Sequence, residues 1–446
     1  MYPVIYRASR LLWHGGGETR RHLRDLRASQ WFSKTELEAL QLRKIQHLVR
    51  HAYENVPFYH ERYQQAGICP DDIRTLADFE RLPFVTREDV NQNREAMVAR
   101  NVAQSELFAN ETGGSTGEPM RFFQEDSFWW QNAANWFRAR EWYGVHEGDK
   151  TAWFWGAQQD MPSWNWRRRL RSALMQERYL NAFNMTQPAM HDFATMLQEW
   201  RPLMFKGYAS TLSLFARYVQ EAGITGIRPR FIESTSEKLF TPQRELLESV
   251  FGCPVADHYS SREMGTIAYQ CPHGGLHICA DVRYLEIVAN GQVAPAGTLG
   301  EVVLTAFNQF AMPFIRYKNG DMGLTRTGDC TCGRTLPLLQ EIVGRTNDYL
   351  VAADGRFVHS EFFAYTFRVK PEVARYQVYQ PDPAHLEVHI VCNQTVTDNW
   401  LEGVQAEIQT RFGPGTSVSL QVVDQIALTP AGKHRYIVSD VRPDFA

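Results

Sequence analysis

The chain has 446 residues, 44% of them hydrophobic and 22% charged, with 47 Lys and Arg against 50 Asp and Glu for a formal net charge of −3. That apolar fraction fills large cores and excludes a mostly disordered chain, and the near-balanced charge gives no reason to expect nucleic acid or an anionic membrane as partner. No apolar stretch approaches the roughly 20 residues that span a bilayer, and the opening Met1-Tyr-Pro-Val-Ile-Tyr-Arg7 has no signal-like core, so a soluble, cytoplasmic protein of two or three domains is expected.

The first part, to about residue 105, reads as mainly helical. Ser33 and Glu36 have capping-box spacing, and Leu37, Leu40, Ile45, Leu48, Val49 and Ala52 recur at helical intervals. Asn55-Val-Pro-Phe-Tyr59 breaks that helix, because proline lacks a donor and restricts the residue before it. Leu82-Pro-Phe-Val-Thr86 is a second break. From about 106 to 340 the pattern is mixed. Leu203-Met-Phe205, Phe231-Ile232, Val255–Tyr259 and Glu301–Phe307 read as buried strands. The segment 241–251 reads as a helix, with Thr241 as N-cap, Pro242 in the first turn and Gly252 at its C-terminus. Helix and strand in alternation predict an α/β domain. After a boundary near 344–350 the pattern changes. Ala374, Tyr376 and Val378 alternate with polar residues, as do Leu386, Val388, Ile390 and Cys392, and then Val418, Leu420 and Val422. A helix is expected between them, from about Thr397 to Phe412. That predicts a small α+β domain.

Glu111-Thr-Gly-Gly-Ser-Thr-Gly-Glu-Pro119 concentrates glycine and hydroxyl residues in one loop. Its backbone N–H and side-chain OH groups can wrap phosphate oxygens, or the loop can simply be flexible. It does not end in Gly-Lys-Ser/Thr and is no Walker A loop. Five of the seven cysteines (Cys253, Cys271, Cys279, Cys330 and Cys332) fall within one stretch, and an odd, low count argues against a secreted disulfide scaffold. Cys271, Cys330 and Cys332 with His277 make a Cys3His set, the composition of a structural zinc site, with His273 an alternative fourth ligand and reduced, partly buried thiols the alternative to any metal. Cys253, Cys279 and Cys392 read as small core residues. The aromatic run from 128 to 155 is either core or the wall of a ligand pocket. Trp153-Phe-Trp-Gly156 ends a strand near the loop face, where α/β domains bind ligands, and Lys206-Gly-Tyr-Ala-Ser210 offers a second wall with Tyr208 and Ser210.

Thr112-Gly-Gly-Ser-Thr-Gly-Glu-Pro119 resembles the phosphate loop of the adenylate-forming (ANL) superfamily, with Met120 where a Lys or polar residue is usual. The likeness is closest to the phenylacetate–CoA ligase family and its capsule-biosynthesis, CapK-like branch. Four further motifs follow in that family's order. Tyr259-Ser-Ser-Arg-Glu-Met-Gly265 resembles the segment whose aromatic residue lies against adenine and whose Glu binds Mg²⁺. Arg316-Tyr-Lys-Asn-Gly-Asp321 resembles the motif whose Asp holds the ribose hydroxyls. Gly344-Arg-Thr-Asn-Asp348 resembles the hinge, and Pro430-Ala-Gly-Lys433 the loop that delivers the catalytic lysine.

The resemblance implies an α/β fold with a large N-terminal adenylation domain, residues 1–345, comprising the helical opening and mixed α/β sheets. A small C-terminal α+β lid domain, residues 346–446, would sit on a hinge with Asn347 as pivot. It also implies roles. Lys433 and Glu263 would be catalytic, Glu263 by holding magnesium. Thr112, Gly113, Gly114, Ser115, Thr116 and Gly117 would hold phosphates. Asp321 and Arg345 would hold the ribose or phosphate side. Ser236, Glu237, Asp257, His258, Tyr259 and Ser260 would surround the base, with His258 alternatively a satisfied core histidine. Trp153, Trp155, Tyr208 and Ser210 would contact the substrate. The implied activity is ATP-dependent conversion of a carboxylic acid to an acyl-adenylate and its transfer to coenzyme A, with ATP, Mg²⁺, coenzyme A and a structural Zn²⁺ as cofactors. Amine or carrier-protein acceptors, a non-catalytic nucleotide-binding scaffold and a homodimer are the alternatives and extensions it leaves open.

Overall fold

The computed structural model describes residues 16–112, 120–155, 172–182, 185–345, 349–355, 357–359, 361–368, 370–427 and 435–441. The helical opening comprises Gly16–Ser29, Lys34–Asn55, Pro57–Gln65, Leu76–Phe79 and Arg87–Asn93. The Ser33 hydroxyl accepts the Glu36 N–H, and the Glu36 carboxylate accepts the Ser33 N–H at 2.8 Å, so the capping box forms. The helix Lys34–Asn55 ends where Pro57 begins the next one, since a first-turn proline has no N–H to leave unsatisfied.

Strands β1 (Leu107–Glu111) and β2 (Arg121–Glu125) form an antiparallel hairpin. Twelve further strands make one mixed sheet. Its first half is β3 (Thr151–Trp155), β4 (Glu177–Asn181), β5 (Met204–Gly207), β6 (Phe231–Thr235) and β7 (Val255–Ser261), parallel in the order β4-β3-β5-β6-β7. Phe154, Phe205, Ile232 and Val255 point to one face, under the helices Gln187–Trp200, Ala209–Glu221 and Thr241–Phe251. Trp153, Lys206 and Glu233 share the other face with Trp136 of the helix Asp126–Glu141. Burial on both faces is why these strands read as unbroken runs and not as alternation.

The second half is antiparallel. It adds β8 (Gly265–Gln270), β9 (Leu276–Ile278), β10 (Arg283–Ala289), β11 (Gln292–Val293), β12 (Gly300–Ala306), β13 (Tyr317–Arg326) and β14 (Leu338–Arg345). The helical opening packs on this half through Leu48, Tyr59, Val85, Leu304, Phe314 and Tyr317. Arg316 fastens the two. Its Nη2 lies 2.7 Å from Glu286 and its Nη1 donates to the carbonyls of Glu80 and Leu82, with the Arg316 side chain only 3% exposed.

The C-terminal unit starts with the hairpin β15 (Tyr349–Val351) and β16 (Phe357–His359). It continues with β17 (Val373–Asp382), β18 (His385–Cys392), β19 (Ser417–Val422) and β20 (Ile437–Ser439) in the order β19-β18-β17-β20. The helix Asp398–Phe412 lays Val404, Ile408 and Phe412 over Val378, Val388 and Ile390, the alternating residues of the sequence pattern. Buried Gln380 ties the hairpin to this sheet by accepting from the Val351 N–H (3.0 Å) and donating to its carbonyl (2.8 Å).

Two expectations need correction. The helix Thr241–Phe251 has Phe240 and not Thr241 at its N-cap, because the Gln243 side chain accepts the Phe240 N–H (3.0 Å) and so satisfies the terminus one residue earlier. Cys253 and Cys279 are buried, but Cys392 ends β18 and is only half-buried.

Replacing Arg316 with Met should destabilise the protein by about 3–5 kcal/mol, because Glu286 is left as a buried, unpaired carboxylate. Urea unfolding would measure it, and adding Glu286→Gln should recover part of the loss.

Candidate active site and metal cluster

The C-terminal ends of β5, β6 and β7 and the hairpin β1–β2 converge on one region. Open parallel sheets present their strand ends there as ligand-binding ground. Thr112 and Met120 close the base of the hairpin loop: the Thr112 N–H donates to the Met120 carbonyl (2.9 Å), and the Met120 N–H donates to the Thr112 hydroxyl (3.0 Å). The Met120 side chain is fully buried against the core, with the Tyr317 hydroxyl 3.4 Å from its sulfur. The residue that departs from the phosphate-loop pattern therefore serves packing in the core. Gln124 of β2 donates to the Arg262 carbonyl (3.0 Å), which seats the hairpin on the β7–β8 turn that carries Glu263. Glu263 is buried, and Gln309 holds that turn by donating to the Glu263 carbonyl (2.9 Å).

Beside this turn lies a compact polar knot. The Tyr259 hydroxyl and the Asn319 amide both donate to Asp321 Oδ2, each at 2.6 Å, and Asn319 also reaches the Tyr259 hydroxyl (2.8 Å). Asp321 is 8% exposed and lies opposite Arg345 in the β13–β14 register. Two short donors to one oxygen fix the plane of the carboxylate. Asn319 and Gln309 were not singled out by the sequence reading. The only signal for Asn319 was its place two residues before Asp321.

Ser236 follows β6 with φ +67, a conformation a non-glycine residue holds only when its surroundings impose it. Its neighbour Glu237 accepts from the Ser210 N–H (2.9 Å) and hydroxyl (3.0 Å), capping the helix Ala209–Glu221. The structure thus joins one residue expected at the base, Glu237, to one expected at the substrate, Ser210. Ser260 and Thr235 hydroxyls are 3.1 Å apart. In the C-terminal unit, Tyr436 follows the lysine loop. Its phenol is raised in pKa by desolvation first and then by the Glu237 carboxylate of the large unit.

Of its two expected readings, His258 takes that of a satisfied core histidine. Its Nδ1 pairs with Glu233 (2.8 Å) and its Nε2 with Thr266 (3.0 Å), so its side chain is spent inside the fold and offers nothing to a base. Glu233 is the centre of that network. It is fully buried and takes Lys206 Nζ (2.6 Å), Trp136 Nε1 (2.7 Å) and the Tyr269 hydroxyl (2.6 Å) as well. Burial alone would raise its pKa, but Lys206 and His258 hold it well below the usual carboxylate range. Trp153 stacks on Tyr179 at 5.7 Å and lies 5.1 Å from Lys206 Nζ, which makes it part of this interior. Trp155 sits 4.7 Å from Tyr208, centroid to centroid, nearer the strand ends. Gly113, Gly114, Ser115, Thr116, Gly117, Asn347 and Lys433, and the side chain of Arg345, lie outside the described residues.

On the antiparallel half, Cys271, His277, Cys330 and Cys332 bring their ligand atoms within 4.8 Å of one another. Cys271 and Cys330 sulfurs are 3.6 Å apart, and Cys332 Sγ is 3.2 Å from His277 Nε2. A tetrahedral ion with metal–sulfur bonds of about 2.3 Å has edges of about 3.8 Å, so the set has the right size. His277 Nδ1 meets the Leu336 carbonyl (3.1 Å), which directs Nε2 inward. Burial lowers the His277 pKa to about 4, so it is neutral and a competent ligand at pH 7. His273 is exposed and pairs with Thr331, which decides the fourth position for His277. A Cβ on Gly275 would fall 2.7 Å from the Cys330 sulfur, so only glycine lets this turn close.

One pH effect follows from Asp257, whose carboxyl is pushed up to about 6 by burial, against the pull of Arg244 and Lys238. The folded state binds this proton more tightly than the unfolded chain, so that contribution to stability is lost as pH rises from about 4 to about 6. Asp257→Asn should remove this component. Melting temperatures of the two proteins compared at pH 4.5 and 7 should show the variant gaining on the wild type at the higher pH.

Residues 350–440 match the CapK C-terminal domain family. Protein CapK of Staphylococcus aureus is 24% identical over 417 residues, covering 91% of this chain and 90% of that protein. The phenylacetate–coenzyme A ligase of Aromatoleum evansii is 28% identical over 351 residues, covering 73% and 74%. Among solved structures, 2-hydroxyisobutyryl-CoA ligase in the postadenylation state with 2-HIB-AMP superposes with a TM-score of 0.73 at 22% identity, over 92% of this chain and 90% of that one. The chain is a homologue of CapK and of the phenylacetate–coenzyme A ligases, built on the fold of the adenylate-forming ligases.

Proposed function

We propose that the protein is an AMP-forming acid–thiol ligase that activates a carboxylic acid with ATP and passes the acyl group to coenzyme A. The observation that supports this reading most is the Tyr259–Asn319–Asp321 knot, whose Tyr259 stands on β7 just before the turn that carries Glu263. An anchored carboxylate can accept two ribose hydroxyls and Tyr259 offers an adjacent aromatic face. Loop N–H groups and hydroxyls from Gly113–Gly117 would wrap the phosphates, with the Arg345 side chain on the ribose or phosphate side. Ser236 and Ser260 would line the base. Trp155 and Tyr208 would wall the acyl group.

A carboxylate oxygen would attack the α-phosphorus while the bond to the bridging oxygen breaks, and pyrophosphate leaves with that electron pair. Attack of anion on anion needs cations placed beforehand. Lys433 would supply a point charge between carboxylate and α-phosphate, and Glu263 would hold Mg²⁺, which shields phosphate charge when bound. The small unit, joined to the large one at 345–346, would then turn about Asn347 and withdraw Lys433. Retention of CapK likeness along 91% of the chain favours one second reading, transfer to an amine or a carrier-protein thiol instead of coenzyme A.

The test is pyrophosphate–ATP exchange across aryl-acetic, benzoic, fatty, amino and uronic acids. Exchange should appear with one acid class and fall about 100-fold or more in Lys433→Ala, the loss typical of removing a transition-state charge contact, while Asp321→Ala should lose it through weaker ATP binding. ATP binding without exchange for any acid would sink the ligase reading and leave a scaffold. With the acid known, acceleration of AMP release by coenzyme A or by an amine decides the acceptor.

We also propose that Cys271, His277, Cys330 and Cys332 hold a structural zinc ion. Four protein ligands leave no open position, so the ion would brace the β8–β9 turn against the segment before β14. Metal analysis should find about one zinc per chain, and Cys330→Ser should lose it along with several degrees of melting temperature. Metal-free protein with an unchanged melting temperature would overturn this.

A further inference from the structure

A cavity of about 270 Å³ opens beside the helical opening. Leu40, Arg43, Lys44 and His47 line one wall, and Phe307 and Phe310 line the other. The first four are spaced i, i+3, i+4 and i+7 on the helix Lys34–Asn55, so they share one face, next to the stripe that packs into the core. Charge there is one-sided. The Lys44 ammonium donates to the Asp281 carbonyl (2.6 Å) and lies 5.8 Å from the Phe307 ring centre, and it has no carboxylate partner among the described residues. Of the nearby acids, Asp281 takes Arg138 and Ser29 at 2.5 Å on Oδ2 alone and acts on Lys44 only at longer range, and Glu125 Oε1 accepts the Phe310 N–H and the Ser127 hydroxyl. Arg43 is exposed at the rim and has no side-chain partner among the described residues. His47 rests edge-on to Phe310 at 5.3 Å.

Burial lowers the Lys44 pKa, and the pull of the Asp281 and Asp25 carboxylates, opposed by Arg283 and Arg138, does not restore it, so a partly desolvated ammonium faces the cavity without a direct ion pair. A neighbouring anion would offset that desolvation. The opposite wall is aromatic, so the anion that fits carries an apolar body. We propose that this cavity binds a small organic oxyanion, a carboxylate or phosphate on an aryl or acyl body, with the head group at Lys44 and Arg43 and the body against Phe307 and Phe310. The site shares no lining residue with the proposed nucleotide region but adjoins it in sequence. Phe310 adjoins Gln309, whose side chain holds the Glu263 turn, so a ligand pressing on Phe310 acts on the segment that positions Glu263.

Calorimetric titration of the full chain with phenyl phosphate, phenylacetate and the neutral phenylacetamide tests the site. Both anions, or one of them, should bind wild type and Asp321→Ala alike and weaken about tenfold or more in Lys44→Met, the loss of one charge-assisted contact, while phenylacetamide shows no such dependence. Arg43→Gln, a change at an exposed position, should weaken binding to a lesser degree and guards against a folding defect in Lys44→Met. Binding that survives Lys44→Met but disappears in Asp321→Ala would place the anion in the nucleotide region and overturn the proposal. So would equal binding of the amide, or no binding of either anion. None of these readouts requires turnover, so failure here and failure of the ligase reading are distinguishable.

Discussion

The Glu233 carboxylate is the constraint around which the parallel half of the sheet is organised. A fully buried charge must be paid for by donors, and Glu233 takes four, from Lys206, His258, Trp136 and Tyr269. These sit on β5, β7, the helix Asp126–Glu141 and β8, so one carboxylate of β6 cross-links its two neighbouring strands, the next strand and the helix on that face. Removing any single partner would leave a charge or a donor unsatisfied in the interior. The positions that follow these strands (Tyr208, Ser236 and the turn carrying Glu263) inherit their placement from this network.

Above that floor, the candidate site is built from short polar links between distant parts of the chain. Gln124 reaches Arg262, Gln309 reaches Glu263, and Asn319 binds both Tyr259 and Asp321. Each link uses an uncharged amide to hold a turn or a carboxylate in place. Arg316 is the opposite case. It stands in the same motif as Asp321, yet its guanidinium is committed to Glu286 and to two carbonyls of the helical opening. A motif of six residues thus serves stability at one end and the site at the other.

The Cys3His cluster shows the same economy. Cys271 and His277 come from either side of the β8–β9 turn, and Cys330 and Cys332 from the segment before β14. In the sheet order β9 lies between β8 and β14, so the pairing of β9 with β14 is what brings the two halves together. Arg334 from the same segment lies over Trp142 at 4.6 Å, which ties the cluster to the end of the helix Asp126–Glu141.

Local physical chemistry made several features legible from residues alone. The Ser33–Glu36 capping box, the Pro57 break, the alternating strands and the helix of the C-terminal unit all follow from interactions within a few residues of each other. The Cys3His composition could be read the same way, because the types themselves carry the chemistry. What needed the tertiary structure were choices made by partners far away in sequence. His277 and not His273 completes the cluster, because only His277 points into the sheet. His258 belongs to the interior, because Glu233 and Thr266 claim both its nitrogens. Met120 faces the core, and Asn319 joins Asp321, for the same reason: burial and hydrogen-bond satisfaction are settled between strands, and no spacing along the chain encodes which strand will be the neighbour.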